Sequence, residues 1–116
     1  MRKCKVFYDE QYDRLMVAGK SDSDKMAGSV RVLNLILDFN TDNKLVNVEL
    51  LHALEYVKSL GLDSDMLTKI SGGDFIFKSL RNGYEIVFVL EVGKKVVHIP
   101  YNVQMPNREQ VSITSY

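Results

Sequence analysis

The chain has 116 residues, of which 46% are hydrophobic and 26% are charged, and this composition is typical of a globular protein. Its 15 basic and 15 acidic residues give a formal net charge of +0. The overall basic excess of most nucleic-acid-binding proteins is therefore missing, and no nucleic-acid partner is expected. A single cysteine excludes an internal disulfide and a thiolate metal cluster. The length predicts one domain over residues 1–116.

The sequence also lacks the apolar segments that membrane and secreted proteins carry. Its longest uninterrupted apolar run, Ile86–Leu90, is far shorter than a membrane span. The N-terminus, MRKCKVFYDE, turns charged before the apolar region of a signal peptide is complete. These features predict a protein without membrane association, and the cytoplasm is the expected location.

The N-terminal residues predict a β-hairpin followed by a long polar connection. Alternation favours a strand over Lys3–Asp9 and a second over Arg14–Ala18, separated by a polar break. The stretch Gly19–Ser29 is polar, rich in small residues and long for a connection inside a compact domain. It is interpreted as a mobile loop or a binding loop, and both interpretations stay open.

The next segment has the densest apolar alternation of the N-terminal half. It predicts two strands, Val30–Phe39 and Lys44–Leu50, joined by a turn. A four-residue loop pairs Leu37 with Val46, whereas a two-residue loop at Asp42–Asn43 shifts the pairing by two residues. Because side chains alternate with a period of two, both registers put the same residues on the core face. These residues are Leu33, Leu35, Leu37, Val46, Val48 and Leu50.

After the second hairpin the apolar spacing changes from a strand pattern to a helical pattern. A helix is predicted over Leu50–Leu60, with Gly61 as its C-terminal stop. A second short helix is predicted over residues 63–70, where either Asp63 or Ser64 can cap its N-terminus.

The C-terminal half predicts a three-stranded meander with two tight turns, Asn82–Gly83 and Gly93–Lys94. The first turn pairs Phe77 with Phe88, and the second turn pairs Phe88 with Ile99. The two turns agree on one continuous core face. Its residues are Phe75, Phe77, Ile86, Phe88, Leu90, Val97, Ile99 and Tyr101.

The opposite face of this meander mixes apolar and polar residues. We predict that Val87, Val89 and His98 form an interaction face there, because a mixed apolar sheet face is suited to a partner. Pro100 has no N–H group to donate to a strand ladder, so its strand is expected at a sheet edge or to end there.

The predicted fold class is α+β, mainly antiparallel β-meanders of about seven strands, with one or two helices in the middle of the chain. Within the single domain, residues 3–54 form the first meander. Residues 55–106 form a helical connection and the C-terminal meander, and residues 107–116 form a tail. The tail is interpreted as an added short strand or a frayed end.

Two stretches resemble a known family. They are Tyr8-Asp9-Glu10-Gln11-Tyr12-Asp13-Arg14-Leu15, and the segment from Leu37-Asp38-Phe39-Asn40 through Leu45–Leu51 to Ala53. They resemble the small prokaryotic family catalogued as domain of unknown function 2283, which has a tyrosine-aspartate turn before an apolar strand and then an acidic hairpin. The resemblance covers residues 3–54. This chain has Asn43 and Asn47 where the family usually has glycine.

No residue pattern amounts to a catalytic signature, so no catalytic, cofactor or metal residues are assigned and an enzyme is not favoured. Asp38, Asn40, Asp42 and Glu49 match the ligand spacing of a calcium loop, but their flanks alternate as strands, not helices. With a four-residue loop, Asp38 lies beside Leu45, and Glu49 is roughly 13 Å farther along that strand. One ion cannot bridge that distance, so the set is interpreted as a polar hairpin turn.

The remaining candidate groups are two histidines, one thiol and a carboxylate cluster. His52 and His98 come from separate elements, and Cys4 lies inside the first strand. They are interpreted as two half-exposed histidines and a buried thiol, because a histidine base needs a nucleophile within reach. The carboxylates of the first turn are interpreted as turn formers: Asp9, Glu10 and Asp13.

Two functions from different classes follow. The first is a protein-interaction module, either an antitoxin-like partner of a small protein or a homodimer. The family resemblance implies this role, because genes of that family often lie beside genes for small toxin-like proteins, as antitoxin genes do. The second is a small-molecule or metal-binding protein, or an unrecognised enzyme, that uses the Gly19–Ser29 loop or the histidines. It requires a pocket that gathers His52, His98 or Cys4.

Overall fold

The computed structural model describes residues 4–104 as eight strands, one α-helix and one 3-10 helix. The strands are β1 (Lys5–Asp9), β2 (Arg14–Ala18), β3 (Met26–Val32), β4 (Leu35–Asn40), β5 (Leu45–Leu51), β6 (Ile70–Leu80), β7 (Gly83–Val92) and β8 (Lys95–Gln104). The helices are α1 (Ala53–Ser59) and the 3-10 helix (Ser64–Lys69). This arrangement confirms the α+β class. Lys3 of the first predicted strand and the predicted tail at 107–116 lie outside the described residues.

The strands form two antiparallel sheets. The first sheet has five strands in the order β1-β2-β5-β4-β3, and the second has three in the order β6-β7-β8. Cys4 and Gly73 form a bridge in which the Cys4 N–H donates to the Gly73 carbonyl at 3.0 Å. This bridge joins the β1 edge of the first sheet to the β6 edge of the second.

The core lies between the two sheets because each of them has one mostly apolar face. From the first sheet it takes Leu15, Val17, Leu35, Leu37, Val48 and Leu50. From the second it takes Phe75, Ile86, Phe88, Leu90, Ile99 and Tyr101. The two helices add Ala53, Val57, Met66 and Leu67. Each large, fully buried apolar side chain contributes roughly 1.5–3 kcal/mol, so this shared core is the main source of stability.

Helix α1 begins without a capping side chain of its own. His52, at the N-cap position, has a φ of 55° and its side chain makes no capping hydrogen bond. The Asp13 carboxylate, from the turn between β1 and β2, fills this role. Its Oδ1 accepts from the Leu54 N–H at 2.8 Å and from the Tyr8 hydroxyl at 2.6 Å. The Asp13 carbonyl accepts from the Ala53 N–H at 3.2 Å, so one residue ties the helix start to the first hairpin.

Tyr56 ties the other side of α1 to β8. Its hydroxyl donates to the Pro100 carbonyl, and its ring centroid lies 4.9 Å from that of Tyr101. Burial raises the pKa of the Tyr56 hydroxyl above its ordinary value, so the group stays protonated and able to donate. Gly61, with a φ of 74°, ends the helix as predicted. The helix therefore closes one end of the space between the sheets.

The segment predicted as a single strand over Val30–Phe39 is two strands. β3 ends at Val32, a two-residue turn follows, and β4 begins at Leu35. Leu33, predicted on the core face, lies in that turn, where it is 64% exposed and has a φ of 54°. The prediction was wrong because the apolar alternation continues through the turn and no glycine marks it.

The connection predicted over Gly19–Ser29 is shorter than expected. β3 begins at Met26, so residues 26–29 belong to a strand that pairs with β4. The pairing shifts between Met26 and Gly28, which marks a β-bulge. Ala27 and Gly28 have low strand propensity, and this hid the start of β3 from the sequence pattern.

The register of the β4–β5 hairpin is that of the shorter predicted loop. Leu37 pairs with Val48, so the pairing of Leu37 with Val46 that a four-residue loop requires was wrong. The strand pairing shifts by one residue between Asp38 and Phe39, and this irregularity accommodates the turn that joins β4 to β5. Apart from Leu33, the predicted core face is confirmed, because the following residues are buried: Leu35, Leu37, Val46, Val48 and Leu50.

The turn between β6 and β7 is formed by Arg81 and Asn82, whereas Asn82–Gly83 was predicted. Each β6–β7 pair from Gly72 to Leu80 therefore differs by two positions from the predicted register, which leaves the same residues on each face. Gly83 begins β7 instead. A Cβ atom there would lie 1.9 Å from the Val103 carbonyl oxygen, so the close approach of β8 requires glycine. The turn at Gly93–Lys94 and all the β7–β8 pairs predicted from it are confirmed.

The first helix begins later than predicted, because Leu50 and Leu51 belong to β5 and α1 begins at Ala53. The second helix is a 3-10 helix, and its predicted cap is confirmed, since Asp63 Oδ1 accepts from the Asp65 N–H at 3.0 Å. Within residues 4–104, neither helix has the length and apolar character that crossing a bilayer requires.

Replacing Asp13 should destabilise the protein through the helix start. Asp13→Ala removes the acceptor of the Leu54 and Tyr8 bonds and puts alanine at a φ of 53°, so we expect a loss of about 2 kcal/mol. Asp13→Asn is the matched control, because an amide oxygen can accept both bonds and asparagine tolerates this φ. Urea denaturation measures the free energy of unfolding. Equal losses in the two variants would contradict the assigned role.

Leu33→Gly should stabilise the protein. A leucine in the left-handed region costs roughly 1–2 kcal/mol, and glycine relieves this at an entropic cost of roughly 0.5–1 kcal/mol. We expect a gain of about 0.5–1 kcal/mol in the free energy of unfolding, measured by urea denaturation. Leu60→Gly is the control, because Leu60 is also exposed but has an ordinary φ of −85°. That variant should be less stable than the wild type.

Candidate functional site

An open cleft of about 660 Å³ lies at the end of the first sheet opposite to α1. The end of β2, the turn between β4 and β5, and the middle of β6 surround it. Its apolar lining consists of Phe39, Leu45, Val46, Phe75, Ile76 and Phe77. Its polar side chains are Asp24, Asn40, Asn43, Lys44 and Asp74. The cleft thus combines apolar walls with a rim of hydrogen-bonding groups, as ligand-binding clefts do.

Asn40 organises one wall of the cleft. Its side chain is buried, and its Oδ1 accepts from the N–H groups of Asp42 and Lys44, each at 2.9 Å. Its Nδ2 donates to Asp24 Oδ1 at 3.0 Å. These bonds satisfy a polar group that would be costly to bury alone, and they hold the loop at 19–25 against the β4–β5 turn.

The loop at 19–25 is fixed by further hydrogen bonds. The Ser21 N–H donates to Asp24 Oδ2 at 2.7 Å, and the Thr41 N–H donates to the Lys25 carbonyl at 2.8 Å. The Ser21 N–H, followed by the Asn40 amide, holds the pKa of the Asp24 carboxyl below its usual value. The loop therefore presents an ionised Asp24 to the cleft at neutral pH.

The opposite wall contains the buried carboxylate of Asp74. Its Oδ1 accepts from the Phe75 N–H at 2.7 Å and from the Cys4 thiol at 3.3 Å. The bond from the thiol and the Cys4–Gly73 bridge together attach the first part of β6 to the residue that precedes β1.

The second half of β6 carries three exposed apolar side chains, which we call the hairpin surface: Ile76 and Leu80 on the outer face of the sheet, and Phe77 on the face toward the cleft. These side chains are 45%, 46% and 46% exposed, respectively. Phe77 was predicted in the core, and that prediction was wrong, because the side chain faces the open cleft and packs on one side only. Its ring centroid lies 5.4 Å from that of Tyr84.

The hairpin surface lies on β6, an edge strand of the second sheet. The Cys4 N–H donates to the Gly73 carbonyl on the side of β6 away from β7. Because backbone groups along an antiparallel strand alternate between its two sides, the N–H and C=O groups of Phe75, Phe77 and Ser79 point the same way as those of Gly73. No strand among residues 4–104 pairs with this side of β6 beyond Gly73. In the described part of the chain, strand pairing on this side of β6 is therefore seen only at Gly73.

The predicted interaction face lies on the outer side of the second sheet. Val87 and Val89, on the central strand, are 9% and 5% exposed, whereas His98 on β8 is exposed. Val87 lies opposite Ile76 on one side and Pro100 on the other. The face is therefore continuous with the hairpin surface through Ile76.

The histidines and the thiol are not gathered around the cleft. His52 is exposed at the start of α1, His98 is exposed on β8, and Cys4 is buried beside Gly73. None of the three lines the cleft. In the described part of the chain, no group of three or more histidine, cysteine, aspartate or glutamate residues is arranged to hold a metal ion.

The calcium-like residues of the second hairpin are engaged with neighbouring strands. Asp38 lies opposite Asn47, so Glu49 is two residues farther along β5 than the residue that faces Asp38. The predicted distance of four residues along the strand was wrong. Asp38 accepts from the Ser29 hydroxyl at 2.5 Å and from Asn47 Nδ2 at 3.2 Å. Glu49 forms an ion pair with Arg14 at 3.6 Å. The flanks are strands, as predicted, so the geometry is not that of an EF-hand loop.

The carboxylates of the first turn have separate roles. Asp9 is a turn former, as predicted, since its Oδ1 accepts from the N–H groups of Gln11 and Tyr12 at 3.0 and 3.3 Å. Asp13 also caps α1, a role that the sequence did not reveal because its partner Leu54 is 41 residues away.

The sequence also did not reveal the cleft or the hairpin surface. Ile76 and Phe77 alternate like the residues of any strand, and the period does not distinguish a packed position from one that faces a cleft. The available signal was the group of polar residues that follows them, because polar residues favour a hairpin tip in solvent. These residues are Lys78, Ser79, Arg81 and Asn82.

A family model described as "Protein of unknown function (DUF2283)" matches residues 5–53. The match confirms the resemblance for this segment, which is less than half of the 116 residues. The segment covers β1 to β5 and the first residue of α1, and it therefore contains the complete five-stranded sheet. No curated protein and no solved structure matches the chain.

The cleft wall predicts a specific titration behaviour of Asp24. Its depressed pKa means that the contribution of Asp24 to stability is present above the unfolded-state pKa and is lost as the pH falls through the folded-state pKa. Asn40→Ala removes the Asn40 donor but leaves the Ser21 N–H, so the pKa of Asp24 should rise while staying below its usual value. Carboxyl NMR titration measures it. An Asp24 that titrates normally in the wild type would contradict the geometry.

Proposed function

We propose that this protein is a protein-interaction module that binds its partner through the hairpin surface of Ile76, Phe77 and Leu80. One observation carries the proposal: three large apolar side chains, 45–46% exposed, share one half of an edge strand. Exposed apolar side chains on both faces of an edge strand suit protein binding, because a partner that covers them removes apolar area from water.

The outer face of the second sheet belongs to the same proposal. Val87, Val89 and His98 were predicted as its contact residues, and Ile76 connects them to the hairpin surface. Because Val87 and Val89 are buried, a partner on this face would contact the exposed side chains around them first. These are Ile76, Val96, His98 and Pro100.

The partner is proposed to be another protein chain. The family resemblance favours a small protein of the kind that antitoxins bind, and self-association is the second form of the same proposal. The matched family has no assigned function, so the proposal is supported by the exposed surface and not by the family's name. The net charge of +0 also adds no long-range repulsion between the protein and a partner.

The hairpin surface should be required for partner binding. We expect a combined Ile76→Ser, Phe77→Ser and Leu80→Ser variant to weaken a reconstituted complex by at least about 100-fold, because three buried apolar contacts are lost. Proteins that bind the full chain are first captured from a lysate of cells that express it naturally. Each candidate is then purified, and its affinity for the wild type and the variant is measured by calorimetry.

The matched control is the combined Phe7→Ser and Met16→Ser variant. Both residues are exposed apolar side chains that lie opposite each other on the first sheet, so they test apolar loss at a different place. This variant should bind as the wild type does. Circular dichroism verifies that all variants are folded. Two results together overturn the proposal. The first is that no purified candidate binds the triple serine variant of the hairpin surface more weakly than it binds the control. The second is that the wild type does not self-associate.

The cleft favours a second candidate function, the binding of a small amphipathic molecule. Its volume of about 660 Å³ is in the range of small-molecule sites, and it combines apolar walls with Asp24, Asn40 and Lys44. The predicted version that required His52, His98 or Cys4 in the pocket is not supported, since none of them lines the cleft. A fragment screen by NMR distinguishes the two candidates, because small-molecule binding would shift Phe39 and Lys44 without a protein partner.

A further inference from the structure

We infer that the cleft binds a small zwitterion with an apolar body, such as an aromatic amino acid, with the ligand's ammonium group at Asp24 and its carboxylate at Lys44. The inference rests on the second candidate function, the binding of a small amphipathic molecule, and names the chemical class of that molecule. Its basis is that the β4–β5 hairpin and the loop held against it bring a carboxylate, an ammonium group and apolar side chains to one cleft.

Asp24 offers the cleft a carboxylate that is held in place and can still accept a hydrogen bond. Its Oδ2 accepts from the N–H and the hydroxyl of Ser21 at 2.7 and 3.1 Å, and its Oδ1 accepts from Asn40 Nδ2 at 3.0 Å. A carboxylate has about four acceptor positions, so about one remains, on Oδ1. The partners in these bonds are neutral, and the charge of Lys20 has the weakest of the effects that lower the pKa of Asp24. Asp24 can therefore bind a further cation.

Lys44 brings a positive charge to the same wall of the cleft. The residue is exposed and lines the cleft. Asn40 fixes its backbone on both sides, because the Lys44 N–H donates to Asn40 Oδ1 at 2.9 Å and the Lys44 carbonyl accepts from the Asn40 N–H at 3.0 Å. The same Asn40 side chain donates to Asp24. One residue therefore holds both charged residues beside the cleft.

Apolar side chains lie beside the two charged residues. Phe39 and Leu45 lie opposite each other at the end of the β4–β5 ladder, next to the turn that carries Asn40 and Lys44. Phe77 lines the cleft from β6 and is 46% exposed. An apolar body among these side chains is removed from water, and an aromatic ring gains further from the two phenylalanines. The ligand's charges alone would not use these walls.

The pair of opposite charges favours a zwitterion over a simple cation or anion. A cation at Asp24 would also be repelled by Lys44, and an anion at Lys44 would be repelled by Asp24. A zwitterion satisfies both groups when its charges point in opposite directions. Asp74, on the opposite wall, is buried and accepts from the Phe75 N–H and the Cys4 thiol, so it stabilises that wall of the cleft.

The size of the cleft suits an amino acid or a dipeptide. Its volume of about 660 Å³ lies within the range of roughly 300–1,000 Å³ of small-molecule sites. A free amino acid carries its ammonium and carboxylate groups close together, and a dipeptide carries them one peptide unit farther apart. Both are therefore used as probes.

The test is a set of NMR titrations of the full chain with phenylalanine and with forms of it that lack one group. N-acetylphenylalanine lacks the ammonium charge, phenylalaninamide lacks the carboxylate, and glycine lacks the apolar body. We expect phenylalanine to shift the N–H signals of Asn40 and Lys44 with a dissociation constant of roughly 0.1–1 mM. Each form that lacks a charge should bind at least about threefold more weakly, and glycine at least about tenfold more weakly. The dipeptide leucylphenylalanine and its two blocked forms are titrated in the same way.

Two variants assign each charge of the ligand to its residue. Asp24→Asn should abolish the preference for the zwitterion over its N-acetyl form and keep the preference over its amide. Lys44→Met should do the reverse, and it keeps the backbone bonds of Lys44 to Asn40. A loosened loop would weaken all the ligands together, so this exchange of preferences requires the two residues to contact opposite ends of the ligand.

The matched controls are Asp22→Asn and Lys25→Met. Both residues are exposed charges on the same loop, and neither lines the cleft. These variants should keep both preferences. Circular dichroism and thermal melting verify folding of each variant.

The possible results either support or overturn the inference. It is overturned if neither zwitterion binds the wild type more tightly than its blocked forms do. It is also overturned if Asp24→Asn or Lys44→Met leaves its preference unchanged. In both cases cleft binding itself still stands if another fragment of the NMR screen shifts Phe39 and Lys44. If no fragment does so, the second candidate function is overturned as well, whereas protein binding through the hairpin surface is decided by its own variants.

Discussion

The Asp13 carboxylate is the contact on which the connection between the first sheet and α1 depends. It joins the β1–β2 turn, the Tyr8 hydroxyl and the Leu54 N–H through a single oxygen atom. Burial, followed by the hydrogen bond to Asp13, raises the pKa of the Tyr8 hydroxyl, which keeps it protonated as the donor. Without this contact a seven-residue helix has no side-chain cap, and so short a helix is not stable alone. The helix covers one end of the core, and the open cleft lies at the other end.

The family match covers one of the two sheets. The matched residues 5–53 contain the complete five-stranded sheet, together with Asp13 and the start of the helix that it caps. One face of that sheet is apolar and must be covered. In this chain the second sheet covers it, because the core draws on both sheets. The added strands therefore complete the core, and they also carry the hairpin surface proposed for binding.

Much of the fold followed from local rules. The two-residue period fixed which residues of β4, β5, β7 and β8 face the core, and an error of two positions in a turn left those faces unchanged. The failures came where a local signal was missing or misleading. Leu33 interrupts an apolar alternation without a glycine, and Gly83 is required by the close approach of β8 and not by a turn. Phe77 follows the core pattern but faces the cleft.

The sequence by itself determined the α+β class, the apolar faces of the strands and the end of the first helix at Gly61. These properties depend on residues that are close in the chain, where periodicity and backbone preference act directly. Only the tertiary structure decided that Asp13 caps a helix 41 residues away, that Asn40 holds the loop at Asp24, and that β6 is the edge strand of the second sheet that Cys4 contacts. These features depend on which elements meet in space, and local residue preferences do not specify those meetings.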